Sequence, residues 1–130
     1  MYALDTNTLI YFFKGAGRVA EHLLAQPPSR IAIPAVVVYE IETGIAKSKR
    51  PESRRAQFDQ ILEAVELLPF DRVEARTAAG IRARLETRGT PIGPLDTLIA
   101  ATALVRGATL VTRNTGEFSR VEGLNLADWY

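Results

Sequence analysis

Cysteine is absent from this chain, and histidine occurs once, at His22. Without thiols there are no disulfides, zinc-thiolate sites or cysteine nucleophiles, which fits a reducing cytosol. The lone histidine falls on the polar side of a predicted helix and reads as plain surface. Nucleophilic catalysis lacks its other parts too: there is no Gly-x-Ser-x-Gly elbow. The Gly-x-x-x-x-Gly-Lys loop of nucleotide triphosphatases is missing as well. No basic leader opens the chain and no apolar run approaches a membrane span, so a soluble, cytoplasmic protein is expected. Nor is there an excess of charge of one sign. The net charge of +1 does not mark a nucleic-acid binder. Locally, Lys47, Lys49, Arg50, Arg54 and Arg55 face only Glu52, and Arg82, Arg84 and Arg88 form a second basic group. Both groups read first as solvated helix faces; they permit a polyanionic partner without requiring one.

What is present is a regular alternation of short apolar runs and helical patterns along 130 residues, without repeats or linkers. That length makes one domain, residues 1–130, able to bury about two-thirds of its unfolded surface. Strands are predicted at Tyr2–Leu4, Arg30–Ile33, Val65–Leu68, Ala108–Val111 and Leu124–Leu126. Helices run from Asp5 to about Lys14, Arg18–Gln26, Ala35–Lys47, Glu52–Ala64, Asp71–Gly89, and from Pro94 to Gly107. Pro34 is expected at the first helical position. In the second helix Val19, Leu23 and Leu24 share one side, and in the fifth Val73, Thr77, Ile81 and Leu85 recur every four residues. Trp129 and Tyr130 read as core packing with wet polar edges. The pattern implies an α/β sandwich with a mainly parallel sheet.

Three acids come from separate elements near the ends where α/β sites form. Asp5 follows the first strand directly, as a helix cap or as an acid poised for chemistry. Glu40 interrupts Val36-Val37-Val38-Tyr39 and Ile41; it either turns outward or is held inward by something that offsets its desolvation, such as a metal ion. Asp96 lies in the first turn of a small, apolar helix entered by the rigid loop Gly89-Thr90-Pro91-Ile92-Gly93. The positive helix N-terminus is expected to favour its ionised form. A polar cluster, Thr112-Arg113-Asn114-Thr115-Gly116-Glu117, follows the fourth strand as Asp5 follows the first. Carboxylates without imidazole or thiolate offer hard oxygen ligands only, suited to Mg2+ or Mn2+. Such a site hydrolyses phosphodiesters by activating water and neutralising charge.

Leu4-Asp5-Thr6-Asn7, Tyr39-Glu40-Ile41-Glu42-Thr43-Gly44, Gly93-Pro94-Leu95-Asp96 with Leu98-Ile99-Ala100-Ala101, and Val111-Thr112-Arg113-Asn114 with Glu117-Phe118 stand in register along the chain. Together they resemble the PIN-domain ribonucleases, and more narrowly the VapC toxins of VapBC toxin–antitoxin pairs. The resemblance implies a PIN-like three-layer α/β/α sandwich with a mainly parallel five-stranded sheet of order 3-2-1-4-5. It also implies an Mg2+-dependent endoribonuclease, with Mn2+ as a substitute, silenced by a cognate VapB-type antitoxin whose C-terminal segment fills a groove by the site. A homodimer is implied as well. Asp5, Asp96 and Glu40 match the metal-binding and catalytic acids. Many relatives have Asp where this chain has Asn114, so the fourth acid is replaced either by that amide or by the Glu117 carboxylate; Thr6, Asn7, Thr112 and Asn114 are supporting residues. The segments Arg88–Pro94 and Leu126–Trp129 resemble the branch that cuts initiator tRNA. Two other readings stand beside this one. A phosphohydrolase with Asp5 as nucleophile normally has a second acid where this chain has Asn7. A non-catalytic PIN or receiver-like binding module would use the same groove, although receivers pair two acids on the first strand.

Overall fold

In the computed structural model, which describes residues 1–130, five short strands form one sheet in the order β3-β2-β1-β4-β5. They are β1 (Tyr2–Leu4), β2 (Ile31–Pro34), β3 (Glu66–Leu68), β4 (Thr109–Val111) and β5 (Leu126–Ala127). Every pairing is parallel, so the sheet is fully rather than mainly parallel. Parallel sheets are covered on both faces and call for apolar strands. Ala3, Leu4, Ala32, Ile33, Leu110 and Val111 accordingly have no exposed surface.

Seven helices supply the cover: α1 (Thr6–Lys14), α2 (Val19–Leu24), α3 (Ala35–Ala46), α4 (Pro51–Ala64), α5 (Arg72–Thr87), α6 (Pro94–Val105) and α7 (Thr115–Phe118). Right-handed crossovers in this strand order send α1 to α4 to one face and α5 to α7 to the other, giving the three layers. The central strand β1 pairs with both β2 and β4, so the chain leaves it toward one side and returns on the other. Ligands bind in α/β sheets at such a reversal, outside the carboxyl ends of the strands. Small residues let α6 lie close to its neighbours: Ala100, Ala101 and Ala103 are fully buried. The hydroxyls of buried Thr97 and Thr102 donate back to the Gly93 and Leu98 carbonyls (3.0 and 2.8 Å), which removes the cost of burying them.

The structure corrects several expectations. Pro34 ends β2, opposite Leu68, and α3 starts one residue later; its ψ of 144° is extended. The edge strand lies at Leu126–Ala127 rather than Leu124–Leu126. In α2, Val19 is buried but Leu24 is 78% exposed, because this short helix contributes only one edge to the core. In α5 the inward place next to Ala78 goes to Glu74, and Val73 points to solvent. Glu74 reaches back to accept a hydrogen bond from Asp71 N–H (2.9 Å), a reciprocal cap that turns this face of the first turn inward. His22 is no plain surface residue: its ring stacks on Trp129 at 5.8 Å and 15°. Trp129 is buried and touches Tyr2 (5.0 Å), whereas Tyr130 remains outside the core.

Candidate active site

Asp5 caps α1 at the carboxyl end of β1. Its N–H donates to the Val111 carbonyl (3.1 Å), extending the β1–β4 ladder one step beyond the strand. The backbone then turns, and Oδ1 accepts from Thr8 N–H (2.8 Å) to cap α1. The Thr8 hydroxyl donates to the Val111 carbonyl (3.0 Å), so the same turn locks α1 to β4. Burial raises the Asp5 pKa above the usual carboxylate range, hydrogen bonds from Thr112 and Thr8 oppose this, and Asp128 adds a small repulsion. Thr112 is fully buried next to Asp5; its hydroxyl oxygen also accepts from Asn114 N–H (3.0 Å).

Glu40 turns inward. Its Oε1 accepts from the Thr6 hydroxyl (2.6 Å), so the first residue of α1 ties the middle of α3 to the carboxyl end of β1. Asp96, in the first turn of α6, belongs to the same electrostatic group. Its pKa is raised to about 6, first by burial and then by the carboxylates of Glu117, Glu40 and Asp5. The helix N-terminus was expected to keep Asp96 readily ionised, and the reverse holds. Burial and three acids outweigh a dipole worth about 1 kcal/mol at an exposed terminus. Gly93 leaves Asp96 its room: a Cβ there would stand 3.3 Å from Asp96 Oδ2.

Glu117 goes the other way. It accepts from Gly93 N–H (2.9 Å) and from the Asn114 side-chain amide, and these bonds lower its pKa. It thereby fastens α7 to the loop that delivers Asp96. The Asn114 amide nitrogen is thus directed at Glu117. Asn7 is exposed and, with Asp5, Tyr11, Arg113 and Asn114, lines a concavity of about 220 Å³. Of the residues singled out at this end of the sheet, Asp5, Asn7 and Asn114 line this hollow; Thr6 holds Glu40, Thr112 contacts Asp5, and Asp96 lies near enough to Glu117, Glu40 and Asp5 to feel their charge.

No group of three or more acids is placed to hold a metal ion between them, so Asp5, Glu40 and Asp96 do not make a ready three-ligand site. Mg2+ does not require one: it takes one or two carboxylates and completes its shell with water and substrate phosphate. The donor set fits that ion, being all oxygen, and every influence on Asp96 is one that a nearby cation would offset.

Two features escaped sequence reasoning. A cleft of about 620 Å³ runs between α1, α3 and α4, with Ile10, Phe13, Ile41 and Ile45 on its floor, Lys14, Lys47, Lys49, Arg50 and Arg54 around it, and Glu40 in its wall. Arg55 is instead paired with Glu42 (2.8 Å) and Arg82 with Glu86 (3.2 Å). The second feature is aromatic. Arg113 lies over the Tyr130 ring at 3.6 Å and near Tyr11 at 5.8 Å, at the edge of the Asp5 concavity. Both features join segments remote in sequence, so no local spacing announces them.

The model of the PIN domain matches residues 2–124. Among curated relatives, the tRNA(fMet)-specific endonuclease VapC of Salmonella typhimurium is 35% identical over 128 residues, covering 98% of this chain and 97% of that protein. Ribonuclease VapC2 of Rickettsia felis is 35% identical over 131 residues, covering 99% and 98%. Among solved structures, the DNA-bound VapBC of Salmonella typhimurium superposes with a TM-score of 0.92 at 35% identity, covering 99% of this chain and 98% of that one. VapBC2 of Rickettsia felis, bound to a promoter DNA fragment, gives 0.91 at 34% over the same shares. The acids at the carboxyl end of an all-parallel sheet and these full-length likenesses agree: the chain belongs to the PIN-domain family, in its VapC ribonuclease branch.

Proposed function

We propose that this chain is the toxin of a toxin–antitoxin pair, an Mg2+-dependent endoribonuclease whose substrate is tRNA, held silent by a VapB-type antitoxin. The observation that carries the metal-dependent part is Asp96. A half-buried carboxylate pushed to about 6 by burial first and then by three other acids sits near the sheet's reversal point, where a divalent cation would relieve it. In this reading Asp5 and Asp96 hold the ion, with Glu40 beside them. When bound, Mg2+ would activate water and neutralise charge on the scissile phosphodiester.

The remaining residues position this machinery. Thr6 holds Glu40 inward, Thr112 and Thr8 fix the Asp5 carboxylate, and Glu117 pins the Gly93 backbone so that Asp96 enters its helix at a fixed angle. A preset arrangement of this kind avoids reorganisation during the reaction. Support for a tRNA substrate comes from the relative named tRNA(fMet)-specific endonuclease, and support for an antitoxin partner from the VapBC complexes. The cleft between α1, α3 and α4 suits the antitoxin: its floor is apolar, its rim cationic, and a segment lying in it would cover Glu40. An aspartyl nucleophile is disfavoured because the second acid it normally works with, two residues on, is here Asn7.

Calorimetric titration with Mn2+ tests the metal site apart from turnover. The wild-type chain is expected to bind the ion, and Asp96→Asn to bind it at least about tenfold more weakly, the size of a lost ligand charge. Equal affinity in the two proteins would remove Asp96 from the site.

A further inference from the structure

Among the residues lining the Asp5 concavity, Arg113 is the sole cation. Asp5, Asn7, Tyr11 and Asn114 complete the lining, and none of them attracts an anion by charge. The three ion pairs of the fold, Arg18–Glu21, Arg55–Glu42 and Arg82–Glu86, do not involve it. Its guanidinium is instead fixed by aromatic rings: Tyr130 lies beneath it at 3.6 Å, and Tyr11 meets Tyr130 edge-on at 4.9 Å. An exposed arginine normally keeps its rotamer freedom, and a stacked one gives it up before any ligand arrives.

The stacking ring is itself anchored. The Arg18 main-chain N–H donates to the Tyr130 main-chain oxygen (2.6 Å), which holds the backbone that carries the ring, and Trp129, one residue earlier, is buried between His22 and Tyr2. At Gly17 (φ +61°) a Cβ would lie 2.8 Å from the Tyr130 ring, so this glycine gives the ring its seat. Four separate segments thus converge to hold one uncompensated positive charge beside the acid cluster.

We propose that Arg113 is a phosphate-binding residue of the active site, preorganised by Tyr130 and Tyr11 to grip a backbone phosphate of the RNA next to the one that is cut. A polyanion approaching Asp5, Glu40, Asp96 and Glu117 meets repulsion, and one fixed guanidinium at the rim counters it and sets the strand's register. The inference rests on the ribonuclease reading and adds to it a substrate contact on the side of Asp5 lined by Tyr11 and Asn114.

The test uses the full chain in Mg2+. Binding of a labelled single-stranded oligoribonucleotide to a cleavage-silenced Asp96→Asn protein is measured across KCl concentrations, with and without Arg113→Gln. Loss of one phosphate contact is expected to flatten the log–log salt slope by about 0.7 and to weaken binding about tenfold at low salt. In the cleavage-competent background, Arg113→Gln should raise KM about tenfold while kcat falls far less. Tyr130→Leu should give a smaller KM increase, and Tyr130→Phe, which keeps the ring, should recover it. An unchanged salt slope and KM in Arg113→Gln, or a fall confined to kcat, would overturn the proposal while leaving the ribonuclease reading intact. A wild-type chain that neither binds nor cuts RNA would overturn both.

Discussion

The two hollows that flank the acid cluster are built on opposite plans. The cleft between α1, α3 and α4 is large, floored by Ile10, Phe13, Ile41 and Ile45, and surrounded by five long cations. The concavity by Asp5 is about a third of that volume and has one cation, locked onto tyrosines. A wide apolar floor with flexible charges suits a peptide partner that folds onto it. A small polar hollow with one fixed guanidinium suits a single phosphate. Glu40 borders the first hollow and Asp5 the second, so one acid cluster can be reached from either side.

Perturbing what the two sides share should have the largest effect. Asp5→Asn or Asp96→Asn is expected to reduce RNA cleavage on the order of 10³-fold or more, measured on a tRNA pool by gel, with the fold retained. Next comes the cleft. Gly44 has open space beyond its Cβ position and lies in the cleft wall, so Gly44→Trp should fold and obstruct the cleft. Antitoxin affinity, measured by calorimetry, should fall about 100-fold. A variant that stays fully repressed by antitoxin would place the partner elsewhere. Neutralising Lys47, Lys49, Arg50 and Arg54 together should mainly slow antitoxin association and reduce its salt dependence, about tenfold at low salt.

The smallest effect is on stability, and its sign is diagnostic. The folded pKa of Asp96, about 6, lies above its ordinary value of 3.8. Between those values the folded state holds more protons than the unfolded one, so this group's contribution to stability falls as pH rises from about 4 to 6. The penalty is fully present at pH 7. After allowance for the exposed half of the side chain, Asp96→Asn should stabilise the metal-free protein by roughly 1 kcal/mol at pH 7 and by little at pH 4. Thermal melts at the two pH values check this. Glu117 has the opposite sign: its pKa is lowered, so its contribution is present at pH 7 and is lost on acidification.

Much of the fold was legible because its local cues agree. Gly15 ends α1 at φ +65° and Gly107 follows α6 at φ +63°, both where the glycine pattern put helix ends. The apolar strands and the acid after β1 were equally local. One error was local: Glu74 reaches back to Asp71 N–H and lies inward where Val73 was expected. The others arose where distant segments decide. His22 is placed by Trp129, from the far end of the chain. Asp96 is the clearest case. Its helix position suggested easy ionisation, but its environment comes from β1, α3 and α7, which no window around residue 96 contains. The acids' places near the strand ends could be read from the order of elements, whereas their electrostatics required the assembled fold.

The central claim is that these acids hold a metal ion for RNA cleavage. Its most direct test is incubation of the purified, antitoxin-free chain with total tRNA, in Mg2+ and in chelator, beside Asp96→Asn, with products resolved on a sequencing gel. The account predicts a discrete fragment that disappears both in chelator and in the variant. The same fragment persisting in chelator, or produced at full yield by Asp96→Asn, would contradict it.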